Sequence, residues 1–450
     1  MKIIVCVKIV KGEINPFDES ALECALSLSD DVTVISMGAK SCENVLKPLT
    51  RLGAKVVLIS DMLYAGSDTL CTAYILSEAI KKKDYDLVIC GRQSIDGDTA
   101  QVGPMLSNML SVPVITNVLE VKSDGKSVFA RCRDCEESAP LPAVVTLERG
   151  YVLRFPSIFS KMGEVEIVDN TFLNCDTQRI GLNGSPTKVL EAFENERGRR
   201  KCKFITYDEL IPLVKKLEKE TTDTEEKNEV KTKLKSVWAV GDEVYQKALE
   251  ISQEVIQIDK LPPEEIAKKA IEEKPEVILW NADLWGRKNA PIVAAMLKTG
   301  LCADCTALET DGKILYMYRP AQGGNITAKI KCVTYPQMAT VRTKSHSSDI
   351  IVSGGKGVGS SIDKLNDLAN KLGAELGASR GLVDMDKMPY ENQIGLTGKT
   401  VSPKVYIAVG ISGAIHHTCA IEGAKYVIAI NPDKDARIFE YADYGIVEEF

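Results

Sequence analysis

The chain has 450 residues, 44% of them hydrophobic and 26% charged, with a formal net charge of −7. That composition is ordinary for a globular protein, and the length exceeds one core and suits about three domains. The acidic balance argues against nucleic acid or an anionic membrane as partner and is compatible with a basic protein.

The opening MKIIVCVKIVKG reads as a buried strand, since Lys8 breaks an apolar run already too short for a signal peptide. No later run approaches the length of a membrane span. Strand-like IIVCVKIV (3–10), DVTVISMG (31–38), AKVVLIS (54–60), DYDLVICG (84–91) and APLPAVVTLE (139–148) alternate with segments of helical spacing such as 18–28 and 67–83. Alternation of this kind predicts an α/β fold with a doubly wound parallel sheet. The loop GRQSIDGDTAQVGP (91–104) follows a strand and leads into an apolar-periodic helix. Gly91 and Gly97 permit tight turns, Asp98 or Thr99 can cap the helix, and N–H groups at such a start hold phosphate. The same residues also serve loops that only make a turn, so both readings stay open.

The thirteen cysteines are scattered singly. The two CxxC pairs, Cys132–Cys135 and Cys302–Cys305, would have to meet each other or the histidines (His346, His416, His417) to hold zinc. The expectation is therefore reduced thiols, no metal, and a cytoplasmic protein without membrane insertion.

Residues 186–236 are charged and poor in apolar side chains, and 220–234 read as a flexible linker. From Val237 the pattern restarts as a repeat. Residues 84–110 align with 274–300, and LPAVVTLERG (141–150) aligns with YPQMATVRTK (335–344). Only the first copy keeps DGDTAQ; the second has WGRKNA. Near the end, VYIAVG (405–410) reads as a buried strand and ISGAIHH (411–417) as a turn into a helix, with Ser412 and Gly413 at a phosphate-binding helix start. Thr397, Gly398 and Lys399 add a hydroxyl, a bare backbone and a cation, and Arg380 a planar cation able to lie on an aromatic ring. A pyrophosphate site and a flat-ring site together point to a dinucleotide, a flavin rather than a nicotinamide.

SGGKGVG (353–359), GASR (377–380), QIGLTGKTVSP (393–403), YIAVGISGAI (406–415), AIN (429–431) and ADYGIV (442–447) resemble, in order and spacing, the FAD-binding domain of the electron transfer flavoprotein alpha subunit. The N-terminal half resembles the beta subunit, so the chain looks like both subunits joined, beta first. The resemblance implies two pseudo-symmetric doubly wound domains plus a flavodoxin/Rossmann-like FAD-binding domain. Its boundaries would be a beta-like domain (1–185), an arm and linker (186–235), a shortened alpha-like scaffold (236–347) and the FAD domain (348–450), which would swivel on its linkers.

By resemblance, Arg380 lies over the isoalloxazine and raises its potential, Thr397 hydrogen-bonds flavin N5, and His417 faces the C2 carbonyl. Lys356, Ser379, Ile394, Gly395, Leu396, Gly398, Ser412, Gly413, Ala414, Ile415, His416 and Asn431 complete that site. A second nucleotide, FAD or AMP, would lie among Cys6, Asn15, Pro16, Phe17, Asp18, Met37, Gly91, Arg92, Gln93, Asp96, Gly97, Asp98, Thr99, Gln101 and Val102. DGDTAQVGP with AGSDT (65–69) resembles the FAD type. RFPSIFSKM (154–162) resembles the dehydrogenase-docking loop, with Ile158 as its apolar anchor. The implied function is electron transfer from a flavin dehydrogenase, of acyl-CoA dehydrogenase type. The alternatives are a bifurcating protein that oxidises NADH and passes electrons to ferredoxin, and a non-redox adenine-nucleotide-binding protein. The chain departs from the family pattern at His416, where Gln is usual, in its short loop KGEI (11–14), in its abrupt 342–350 connection, and in its stop at Phe450.

Overall fold

The computed structural model describes residues 1–132, 135–194, 200–219, 232–322, 326–343, 348–395 and 397–450, in two compact units. The first unit comprises 1–192, 230–322 and 328–342; the second comprises 193–229, 323–327 and 343–450.

The main sheet of the first unit runs in the order Val165–Val168, Lys55–Ile59, Asp31–Met37, Lys2–Cys6, Leu87–Gly91, Ala143–Leu147, Val114–Ser123, Ser127–Cys132, Glu136–Pro140. All neighbours are parallel except the last two pairs, which form an antiparallel edge. Helices Pro16–Leu28, Thr69–Lys81 and Val102–Leu110 supply the crossovers. Parallel strands are covered on both faces and so read as continuous apolar runs. Ile3, Ile4 and Val5 are all buried, as the unbroken IIVCV pattern requires.

A second parallel sheet repeats the core of the first, in the order Ser252–Ile258, Leu234–Val240, Val277–Asn281, Gln337–Val341, Leu301–Cys305. The correspondence reaches single residues. Leu141–Pro142 and Tyr335–Pro336 are both cis. Asn117 and Asp304 both have left-handed backbone (φ 58° and 56°), and each donates its N–H to a threonine hydroxyl, Thr146 at 3.1 Å and Thr340 at 2.8 Å.

The second unit is a parallel sheet in the order Lys203–Phe204, Tyr444–Ile446, Tyr426–Ile430, Val405–Val409, Ile350–Gly354, Glu375–Ala378. Residues 200–219 belong to it, adding an edge strand and helix Leu210–Glu218, which buries Leu210, Val214 and Leu217. Thr206 and Glu209 make the reciprocal capping box before that helix, as their spacing favours. Most of the expected linker, 220–231, lies outside the described residues.

Candidate functional site

In the second unit the sheet order reverses between Ile350–Gly354 and Val405–Val409. Open α/β sheets bind ligands at the carboxyl ends of strands, at such a reversal. Lys356 follows the first of these strands, Ser379 and Arg380 follow Glu375–Ala378, Ser412 to His417 follow Val405–Val409, and Asn431 follows Tyr426–Ile430. Ile394, Gly395, Thr397 and Gly398 come from the loop 393–399, which is tied to the same edge because the Ile394 N–H donates to the Ala378 carbonyl at 2.8 Å. Leu396 lies outside the described residues.

Backbone meets backbone here. A Cβ at Gly355 would stand 2.2 Å from the Gly410 carbonyl oxygen, and the Gly357 N–H donates to that oxygen at 3.0 Å. Ser412 and Gly413 do not begin a helix, contrary to the sequence reading. The left-handed Gly410 (φ 60°) and Gly413 (φ 86°) hold the stretch out of helical conformation, and helix Ile415–Thr418 starts only after Ala414. One turn carries little dipole, so a phosphate here would rely on local N–H groups and on Lys356. The Lys356 stem crosses Gly381, where a Cβ would meet its Cε at 2.6 Å, next to Arg380. Arg380 Nε donates to Asp384 Oδ2 at 3.2 Å. Asn431 is buried and donates from Nδ2 to the Ile411 carbonyl at 3.0 Å, while Ile415 is half-buried and Ser379, Ala414 and His416 are partly or fully exposed.

Thr397 and His417 are among the buried polar groups of this edge. Gln393 Nε2 donates to Thr397 Oγ1 at 2.8 Å, and the Tyr390 hydroxyl donates to the Thr397 carbonyl at 2.6 Å. His417 Nε2 lies 2.8 Å from the Tyr406 hydroxyl, while its Nδ1 meets no hydrogen-bond partner among the described residues. Burial pushes the His417 imidazole down to about 4, against a weaker upward pull from the Ile394 backbone, so it is neutral near pH 7.

A separate cavity of about 320 Å³ opens in the first unit where the strand order reverses between Lys2–Cys6 and Leu87–Gly91. It is lined by Cys6, Asn15, Asp18, Met37, Gly91, Arg92, Gln93, Gly97, Thr99, Gln101 and Val102. Pro16, Phe17, Asp96 and Asp98 stand outside the lining. Pro16 opens its helix, Phe17 is buried in the core, Asp96 pairs with Lys8 at 2.7 Å, and Asp98 Oδ1 accepts from Gln93 Nε2 at 2.9 Å. Nor does Asp98 or Thr99 cap the helix after the loop. Asp98 and Ala100 adopt left-handed backbone (φ 51° and 54°), so the helix starts at Val102 behind Gln101. The sequence reading missed Lys8, Thr72 and Leu76. Asp68, which caps helix Thr69–Lys81 by accepting from the Cys71 N–H at 3.0 Å, was legible as an Asp before an apolar-periodic run.

Asp18 closes the floor of this cavity, accepting from the backbone N–H of Lys8 at 2.7 Å and of Gly91 at 3.2 Å. Burial pushes its carboxyl up to about 7 against those donors. Gly91 has no room for a side chain, since a Cβ would lie 2.2 Å from Asp18 Oδ1. Arg92 is held by Glu148 in a buried pair at 2.6 Å.

The second copy fills the equivalent space. Trp280 stands at the place of Cys90 and Asn281 at that of Gly91, both buried. Arg342 replaces Glu148, and with Arg287 it clamps Asp304 at 2.8 and 2.9 Å. Burial opposes ionisation of Asp304, but the two guanidinium charges outweigh it and hold the carboxyl well below the usual range. Cys132, Cys135 and Glu137 each bring a ligand atom within 4.8 Å of the others, but Glu137 pairs with Lys288 at 3.1 Å and burial pushes the Cys132 thiol up to about 12. No helix among the described residues is long and apolar enough to cross a membrane.

The model of the electron transfer flavoprotein domain matches residues 3–172 and again 230–378, and that of the electron transfer flavoprotein FAD-binding domain matches 345–422. The chain is 42% identical over 229 residues to the electron transfer flavoprotein subunit alpha of Thermoanaerobacterium thermosaccharolyticum, covering 40% of this chain and 69% of that one. It is 38% identical over 201 residues to the subunit beta of Megasphaera elsdenii, covering 40% of this chain and 74% of that one. Protein FixB of Azorhizobium caulinodans is 40% identical over 224 residues, covering 39% of this chain and 61% of that protein. The residues of the C-terminal edge fit FAD: His417 Nδ1 and Gln393 Oε1 are buried polar atoms without partners among the described residues, beside glycines that bring backbone close.

Proposed function

The chain belongs to the electron transfer flavoprotein family, with beta-like and alpha-like parts fused, and we propose that it shuttles electrons from a flavin dehydrogenase of acyl-CoA dehydrogenase type. Bound FAD supplies the redox chemistry. The protein supplies placement and electrostatics. Thr397 accepts from Gln393 and so keeps its own hydroxyl proton to donate to the flavin ring. Arg380 and Lys356 concentrate positive charge at one corner, suited to the phosphates and to charge developing on the ring. The observation that carries this reading is that Thr397 and His417 are each buried at the carboxyl edge.

The docking surface would be the segment 152–162, where Val152, Phe155, Ile158 and Phe159 are 84% exposed or more. Such contiguous apolar exposure suits a partner. The test is dehydrogenase-dependent bleaching of the bound flavin with acyl-CoA as donor. We expect Ile158→Glu to slow it at least tenfold while FAD content stays unchanged. Equal rates for the two proteins would refute the docking assignment, and no bleaching by any acyl-CoA dehydrogenase would refute the partner class.

A second reading is bifurcation, with FAD also in the first unit, NADH as donor and ferredoxin as acceptor. The resemblance of DGDTAQVGP (96–104) and AGSDT (65–69) to the FAD type favours it. The cavity of about 320 Å³ favours AMP, since it lies at the small end of the roughly 300–1,000 Å³ of ligand pockets. Counting nucleotides released from the denatured chain separates them. Two FAD supports bifurcation, and one FAD with one AMP refutes it.

A further inference from the structure

We propose that Tyr406 is a positioning residue for the flavin site: its hydroxyl donates to His417 Nε2, fixing the imidazole as the Nδ1–H tautomer and presenting that N–H to an acceptor on the flavin. This rests on the reading above that the flavin lies at His417.

Tyr406 sits on the central strand Val405–Val409 and is fully buried among Ile351, Ile394, Ala408 and Ile411. Its hydroxyl and Nε2 are 2.8 Å apart, while the ring centroids are 6.1 Å apart and inclined at 51°. The contact is thus a hydrogen bond and not a stack. In so apolar a place each polar atom must be accounted for.

Two proton arrangements are available. If Tyr406 donates, Nε2 is satisfied as acceptor, the ring proton is on Nδ1, and one buried group, the Nδ1–H, awaits a partner. If Nε2–H donates instead, the phenol proton turns to the buried Ser353 hydroxyl, and Nδ1 is left as a bare lone pair towards the Ile394 backbone carbonyl. Only the first arrangement sets a proton towards that carbonyl and keeps an N–H to offer the flavin. Facing a buried lone pair with a carbonyl oxygen in place of an N–H disfavours the second arrangement by roughly tenfold. Burial also pushes the phenol up and the imidazole down to about 4, so neither partner changes charge near neutral pH. Tyr406 is no member of the proposed flavin contact set, so it acts through its hydrogen bond to His417.

The test is Tyr406→Phe in the full chain, which keeps the ring and removes only the hydroxyl. The first readout is the pair of 15N shifts of His417 in the FAD-free protein, assigned with His417→Gln. We expect wild type to show protonated Nδ1 and unprotonated Nε2, and Tyr406→Phe to move toward the opposite tautomer or a mixture. The second readout is FAD affinity and the flavin potential in the loaded protein, with binding about fivefold weaker in the variant and the potential lower. An Nε2–H tautomer in wild type, or an unchanged tautomer in Tyr406→Phe, overturns the role of Tyr406 and leaves the flavin placement standing. FAD that leaves both His417 nitrogens unmoved overturns the placement, and the proposal with it. If Tyr406→Phe does not fold, the wild-type tautomer decides alone.

Discussion

Gly413 offers the sharpest test of why the ISG loop has its sequence. Its φ of 86° is left-handed, and a Cβ there would lie 2.2 Å from the Ile438 nitrogen and 2.6 Å from the Arg437 carbonyl carbon. Those are backbone atoms, and Ile438 is fully buried, so neither can swing aside. An L-residue in left-handed backbone costs about 1–2 kcal/mol, and overpacking against fixed neighbours about 1–3 kcal/mol. Gly413→Ala should therefore cost about 2–5 kcal/mol, by tens-fold to thousands-fold displacement of the loop that carries His417. Gly373 is the control, since its φ of 61° is also left-handed but no atom lies within 4 Å of the added Cβ. Gly373→Ala should cost only about 1–2 kcal/mol, the backbone part alone. The assay is urea unfolding of the FAD-free chain together with FAD retained after gel filtration. Equal losses for the two variants, or full FAD retention by Gly413→Ala, would refute the claim that backbone contact with 437–438 sets the loop.

Gly91→Ala should push Asp18 aside and empty the first-unit cavity of nucleotide while FAD stays in the second unit; chromatography of released nucleotides checks this. Asp304→Asn leaves Arg287 and Arg342 short of a counter-charge and should cost about 3–5 kcal/mol in urea unfolding. Because the Asp304 carboxyl is depressed in the fold, its stabilisation is complete above the unfolded carboxylate value and is lost as pH falls below it toward the folded value. For His417 the unfolded chain takes up a proton near pH 6.5 and the fold resists it until about 4. Stability of the FAD-free chain should therefore fall by roughly 3 kcal/mol between those values and stay level above them, and His417→Gln should remove that slope.

The parallel strands were legible because burial on both faces leaves short apolar runs, and the repeat was legible because two copies share their strand ends. The start of helix Val102–Leu110 was not. Its N-cap, Gln101, is held by a 3.0 Å bond to the Leu301 carbonyl and a 2.6 Å bond from Thr69, contacts no local pattern reveals. The loop also places Asp98 and Ala100 in left-handed backbone where glycine would be the default. Helix Leu210–Glu218 lay in a charged stretch, yet Leu210, Val214 and Leu217 carry helical spacing, so its role was readable. Tyr406 and His417 meet from a strand and a later one-turn helix. Only the fold brings them within 2.8 Å.

The two copies of the first unit show how one frame becomes a site in one place and a scaffold in the other. The frame itself is preserved down to the paired cis-prolines and the Asn117 and Asp304 turns. What differs is side-chain volume and charge at the strand ends. Gly91 lets the Asp18 carboxylate close against the strand end beneath the cavity, and Glu148 holds Arg92 at the wall. At the equivalent places Trp280 and Asn281 occupy that space, and the Asn281 side chain takes over the job of a backbone cap by accepting from the Val244 N–H at 2.8 Å. Converting Asn281 to Gly alone would therefore not open a second cavity. Trp280 would still fill the centre, the Val244 N–H would lose its partner, and the Arg287–Asp304–Arg342 cluster would still close the wall.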